Sequence, residues 1–206
     1  MRRPVLIVLL ALAAAGCSSG SESPAEEGAG PAQDTTPTVS SRIYTKDELP
    51  KVALQPADAP SGMRYTKVDS GPRTPFDVGL ILDEQVAEVR GFGLRGIFDV
   101  TFDSTTSDIR LTSRLWLFSE PSGAEGWLEK SRLEAELYQF QPITAPQLGD
   151  GRSWAARGNV GAEVISHAFR IGNLVVVTAY STQSQQLSES LALAAAQKAA
   201  ARVREL

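Results

Sequence analysis

From Leu94 onward the apolar residues recur at every second position. Phe98, Val100 and Phe102 fall on one side of an extended chain, and Asp99, Thr101 and Asp103 on the other. That period predicts a half-buried strand. The polar run Asp103 to Asp108 turns the chain, and Ile109, Leu111, Leu115 and Leu117 mark a return strand over 109–118. Trp116 and Phe118 point to its opposite side, where they are either covered by another element or line a groove. Ser119, Glu120 and Pro121 then supply helix-start signals, followed by a stripe of Ala124, Trp127, Leu128, Ala135 and Tyr138. Gly123 and Gly126 oppose that helix by about 1 kcal/mol each relative to alanine. Residues 153–156 fit a short strand. The clearest hairpin joins 163–171 to 174–181 through Gly172-Asn173. A two-residue loop there sets Phe169 opposite Val176 and Ile165 opposite Tyr180. The chain closes with an alanine-rich helix from about Gln185, whose Leu191 and Val203 are expected to point inward.

Ahead of this block the signals are shorter. Thr45-Lys46-Asp47-Glu48 has capping-box spacing and predicts a helical turn that Pro50 joins or interrupts. A strand is expected around 63–68, a loop over 71–75, and a helix over 80–89 carrying Leu82, Val86 and Val89. A further loop spans 141–151. Strands in tight antiparallel succession, interrupted and then closed by helices, predict an α+β class. The expected arrangement is an antiparallel sheet with helices packed on one face.

The first forty residues follow other rules. Arg2 and Arg3 precede an unbroken apolar run from Val5 to Ala15. It is shorter than the roughly 20 residues a membrane span requires, and its order of basic, apolar and small residues is that of a secretory signal peptide. The run Ala13-Ala14-Ala15-Gly16-Cys17 resembles the lipobox of bacterial lipoproteins, with Ala14 where that family more often has leucine. The resemblance implies lipidation of Cys17, the only cysteine in the chain, and cleavage of residues 1–16. It also implies attachment to the membrane through the lipid, with the folded part outside the cytoplasm. Residues 17–41 then form a lipidated cysteine and tether. This stretch is rich in Ser, Gly, Pro, Thr and Ala and lacks aromatics, so it has too little apolar surface to offset its ordering entropy. As a flexible coil it would span about 25–30 Å.

Composition narrows the remainder. The chain carries a net charge of −4, which becomes −6 once Arg2 and Arg3 leave with the leader. With no basic patch, nucleic acid is not an expected partner. Residues 42–206 have the length of a single domain with one core. The segments "DAPSGMRY" and "AFRIGNLVVVTAYS" and the final helix resemble the PsbP-like α+β fold of actinobacterial exported lipoproteins and sensor ectodomains. That resemblance implies a compact binding or scaffold domain, often without catalysis.

Several motifs suggest chemistry, and most fail on context. Gly91-Phe92-Gly93-Leu94-Arg95-Gly96 matches G-x-G-x-x-G, but a helix-like stretch precedes it and a strand-like one follows. A dinucleotide site needs the reverse order. Gly151-Arg152-Ser153-Trp154-Ala155 is one residue short of a nucleophile elbow, and the only histidine, His167, lies in a predicted strand. A serine hydrolase on Ser153 and His167 is therefore an alternative, ranked below two others. Asp99, Asp103 and Asp108 could gather around a calcium ion, but their spacing lacks the dense oxygen ligands of a calcium loop, and a solvated strand face is preferred. No cofactor is expected. The leading expectation is a non-catalytic binding or scaffold domain, its partner an envelope protein or an apolar small molecule. The first alternative is a carrier of a lipid or other apolar ligand in a sheet–helix cleft lined by Trp116, Phe118 and Trp154.

Overall fold

The strand β4 (Arg110–Phe118) ends in four consecutive buried residues, Leu115, Trp116, Leu117 and Phe118, and this decides the architecture. Successive side chains leave a strand on opposite faces. A strand apolar on both sides needs a cover on each. The computed structural model describes residues 42–80, 82–184 and 186–205. The leader expected at 1–16, Cys17 and the 17–41 tether lie outside the described residues.

The elements run α1 (Leu49–Val52), β1 (Met63–Tyr65), β2 (Gly71–Arg73), α2 (Asp83–Gly91), β3 (Leu94–Ser104) and β4. There follow α3 (Pro121–Leu137), β5 (Gln141–Pro142), β6 (Ser153–Asn159), β7 (Glu163–Ile171), β8 (Leu174–Thr182) and α4 (Glu189–Arg204). All strands join one antiparallel sheet in the order β1-β3-β4-β8-β7-β6-β5, and β2 also pairs with β3. The predicted hairpin register holds, with Phe169 opposite Val176 and Ile165 opposite Tyr180.

The α+β class and the antiparallel sheet are as expected, but the helices are divided between the two faces. On one face α4 lays Ala192, Ala195, Ala196, Ala199, Ala200 and Val203 onto Leu111, Leu115, Leu117, Ile165, Phe169 and Val176. On the other, α2 and α3 contribute Val86, Val89, Ala124, Trp127 and Leu128 to a second core with Ile97, Trp116, Phe118, Ala168 and Val175. Each large side chain so buried stabilises the fold by about 1.5–3 kcal/mol, which is why neither face is left open.

The α3 glycines have a packing reason. A Cβ at Gly123 would lie 2.0 Å from the Phe92 carbonyl oxygen, and one at Gly126 would lie 2.7 Å from the Phe92 ring. The end of α2 crosses directly over α3, and that contact requires the two residues that weaken the helix. Other differences are local. Leu191 is 55 % exposed and points away from the sheet, because the inward positions of α4 are taken by alanines and Val203. Residues 71–73 and 141–142, expected in loops, are short edge strands. The strand expected over 63–68 stops at Tyr65 and gives way to a 3-10 turn over Lys67–Asp69. The capping box forms as expected, with the Thr45 amide and hydroxyl donating to Glu48 at 2.7 and 2.9 Å.

The corner where the chain enters is tied tightly. The Asn173 side chain accepts from the Tyr44 amide at 2.7 Å and donates to the Tyr44 and Phe118 carbonyls at 3.1 and 2.6 Å. The Tyr44 hydroxyl donates to the Val203 carbonyl at 2.9 Å, joining the entry segment to the end of α4.

Candidate functional site

One row of the sheet facing α4 departs from the apolar pattern. Val100, Ser113, Thr178, His167 and Ala155 are successive cross-strand neighbours, running from β3 through β4, β8 and β7 to β6. The next row on one side is Phe102, Leu111, Tyr180 and Ile165, and on the other Phe98, Leu115, Val176 and Phe169. The Ser113–Thr178–His167 stripe is thus a polar seam in the main core. Its members are between 1 and 2 % exposed. Among the described residues, neither ring nitrogen of His167 nor the Thr178 hydroxyl has a hydrogen-bond partner. Burial lowers the His167 pKa from its ordinary value, and the nearby Glu189 carboxylate only partly opposes this.

This arrangement bears on the expected hydrolase pair. Ser153 is the cross-strand partner of Phe169, two residues along from His167. No hydroxyl–imidazole hydrogen bond joins them, because both His167 nitrogens are unpartnered. The ring lies beneath the α4 face, inaccessible to a substrate while that helix is in place.

The three expected groove residues do not share a groove. Trp116 and Phe118 are buried against Trp127 of α3, with ring centroids 5.1 and 6.4 Å apart. They are therefore covered by another element. Trp154 donates its indole N–H to the Ser131 hydroxyl at 3.2 Å. It also lines a cleft of about 240 Å³ with Pro142, Ile143, Ala145, Ser153 and Ala155, at the sheet edge where β5 leaves β6.

Of the carboxylates expected around calcium or on a solvated face, Asp99 and Asp103 are ion-paired, while Asp108 is exposed to solvent and held by hydroxyls and an amide. Asp99 is buried and receives two hydrogen bonds from Arg114, both at 2.8 Å, with Arg73 3.6 Å away. Burial raises the Asp103 carboxyl, but hydrogen bonds from Arg110 and Thr66 outweigh it and leave its pKa below the ordinary range. Asp108 accepts from the Ser184 and Thr182 hydroxyls and the Gln183 amide, which bring it down to about 2. Among the described residues no cluster of three or more metal-ligating side chains occurs. The segment 66–73 covers part of this face, Thr101 being bound by Ser70 and by the Asp69 carbonyl. The alternation of β3 showed a polar side, but not the arginines that neutralise it.

The G-x-G-x-x-G run is structural. Gly93 takes a φ of +85° as the chain leaves α2, and Gly96 sits at an irregularity in the β3–β4 pairing. The polar seam went unrecognised in the sequence. Its signal is present strand by strand, since Ser113, His167 and Thr178 each occupy an inward position between apolar neighbours. Their alignment across strands depends on the β4–β8 register, which the sequence does not reveal.

With this geometry in view, the fold has a solved counterpart. The crystal structure of the extracellular domain of PknH from Mycobacterium tuberculosis superposes with a TM-score of 0.53, at 13 % identity. The match covers 80 % of this chain and 97 % of that one. At such identity the likeness concerns the fold alone. No family model and no curated protein matches the chain. Among the described residues no helix is long and apolar enough to cross a membrane.

Proposed function

We propose that the chain is an extracytoplasmic lipoprotein, anchored to the membrane through Cys17, whose folded domain binds or scaffolds a partner in the cell envelope without catalysis. The observation that carries this reading is the run from Arg2 to Cys17. A basic start, a short apolar stretch and a small-residue approach to a lone cysteine occur there in the order that export and lipidation require. A fold shared with an extracellular domain agrees with that address. The burial of His167 beneath α4 supports a binding role over a hydrolytic one, since the base that a Ser153 nucleophile would need is held away from it. Two acyl chains would give stable attachment where one gives only marginal binding. The test is Cys17→Ser followed by membrane fractionation and labelling with a fatty-acid analogue. The expected result is loss of label, with the protein released or held as an unprocessed precursor. Labelling that survives the substitution refutes the anchor.

The alternative of an apolar-ligand carrier would rest on the Trp154 cleft, and its volume of about 240 Å³, below the roughly 300–1,000 Å³ usual for small-molecule sites, counts against it.

A further inference from the structure

The two ends of α4 are held by different means. Its C-terminal end is tied to the core by Val203 and by the Tyr44 hydroxyl, and Arg202 donates to Asp58 at 2.7 Å. Its N-terminal end rests on a surface clamp. Arg157 lies 3.3 Å from both Glu163 and Glu189 and donates to the Leu187 carbonyl at 3.0 Å, while the Leu187 amide donates to Glu163 at 3.2 Å. Beneath this helix lies the polar seam, where three polar atoms of His167 and Thr178 find no partner among the described residues. Alanines cover it, and alanine offers no hydrogen bond. Leaving buried polar groups unpaired costs about 1–3 kcal/mol each, so the seam weakens the closure of the helix over it.

We propose that the N-terminal half of α4 is a proton-operated cover: it seals the Ser113–Thr178–His167 seam while the imidazole is neutral and lifts from the sheet when the imidazole is protonated. The groups facing His167 leave a proton there poorly compensated. From β6, Ala155 brings no charge, and Arg157 two residues along is engaged by Glu163 and Glu189. From β8 come the Thr178 hydroxyl and Tyr180, whose phenol burial pushes up to about 12. Ser113 on β4 is neutral. From α4 only Glu189 acts on the ring, and its carboxylate is already paired with Arg157. An imidazolium in the closed form therefore lacks a committed counter-ion, and lifting the helix hydrates it.

The sign follows from linkage. In the closed form the His167 pKa is depressed, whereas in the lifted form it returns to its ordinary value near 6.5. Closure is fully favoured above that value and weakens as the pH falls below it. The lifted fraction rises by up to about tenfold per pH unit, until the closed-form value is reached. This device stands whether or not the chain is lipid-anchored.

The test uses the full chain. His167 is the only histidine, so its ring resonances are unambiguous. Amide exchange should show protection factors over Ala192–Ala196 falling about tenfold between pH 7.5 and 5.5, with those of β4 unchanged. The ring should stay neutral below pH 6.5 in the closed population. His167→Gln should remove the pH dependence of α4 protection. Three results overturn the proposal: a ring titrating near 6.5 beneath a protected α4, protection lost equally in β4, or a His167→Gln variant that keeps the fall. The first two are read on the unmodified chain, so a variant that fails to fold leaves the proposal open to refutation.

Discussion

Replacing Phe169 with alanine tests the central packing of the domain. Its side chain is fully buried on the α4 face, opposite Val176 on one side and Ser153 on the other. Phenylalanine-to-alanine substitutions in cores cost about 3–5 kcal/mol, and the value depends on how far the surroundings collapse into the space left behind. Here the helix above presents alanines, which have no rotamers to swing inward, and the strands beneath are fixed by their ladders. The loss should fall in the upper part of that range, a large share of the 5–15 kcal/mol typical of a whole domain. At about 2–4 °C per kcal/mol for a domain of this size, the midpoint of thermal unfolding should drop by about 8–20 °C. A urea titration beside the parent protein, with the denaturant slope unchanged, supplies the measurement. Leu191→Ala, on the exposed side of α4, is the control and should stay within about 0.5 kcal/mol. A Phe169 loss below about 1.5 kcal/mol, or equal losses for the two variants, would refute the packing of α4 on this face.

Gly123→Ala should destabilise the protein by a net 1–2 kcal/mol or so, although alanine is the better helix former, because the added methyl meets the Phe92 carbonyl. A gain in the same urea titration would show that the crossing of α2 over α3 yields freely. On the acid side, burial raises the Asp58 carboxyl, but Arg202, the Gln55 amide and Lys198 outweigh it and hold it below its ordinary value of 3.8. The stability it contributes should be complete above that value and lost as the pH falls through the lower folded one. Asp58→Asn should flatten that part of a melting-temperature profile between about pH 5 and 2, and an unchanged profile would mean that the Asp58–Arg202 pairing is not coupled to folding.

The legible part of the fold was the part where local signals suffice. The β7–β8 hairpin could be registered residue by residue because a two-residue Gly172-Asn173 turn leaves no freedom in pairing. The period of β3 and the start of α3 were equally local. The strands β1, β2 and β5 span two or three residues, too few for any alternation to register. The inward placement expected for Leu191 failed because in a helix this rich in alanine the largest residue does not mark the buried side. Packing against the sheet selected the small residues instead. The second face was foreshadowed by Trp116 and Phe118, yet choosing between a cover and a groove required knowing where α3 returns. The polar seam needed still more, the register of two strands separated by more than fifty residues of chain.

The knot of hydrogen bonds around Asn173 has a mechanical consequence. A pull on the chain preceding Arg42 reaches Tyr44 first, and Tyr44 is fastened to the β7–β8 turn and to the end of α4. The load therefore enters the sheet at its middle strands, not along the short strands at its margin that could be peeled one bond at a time. A pull applied at that end should therefore reorient the whole body before it unravels any edge.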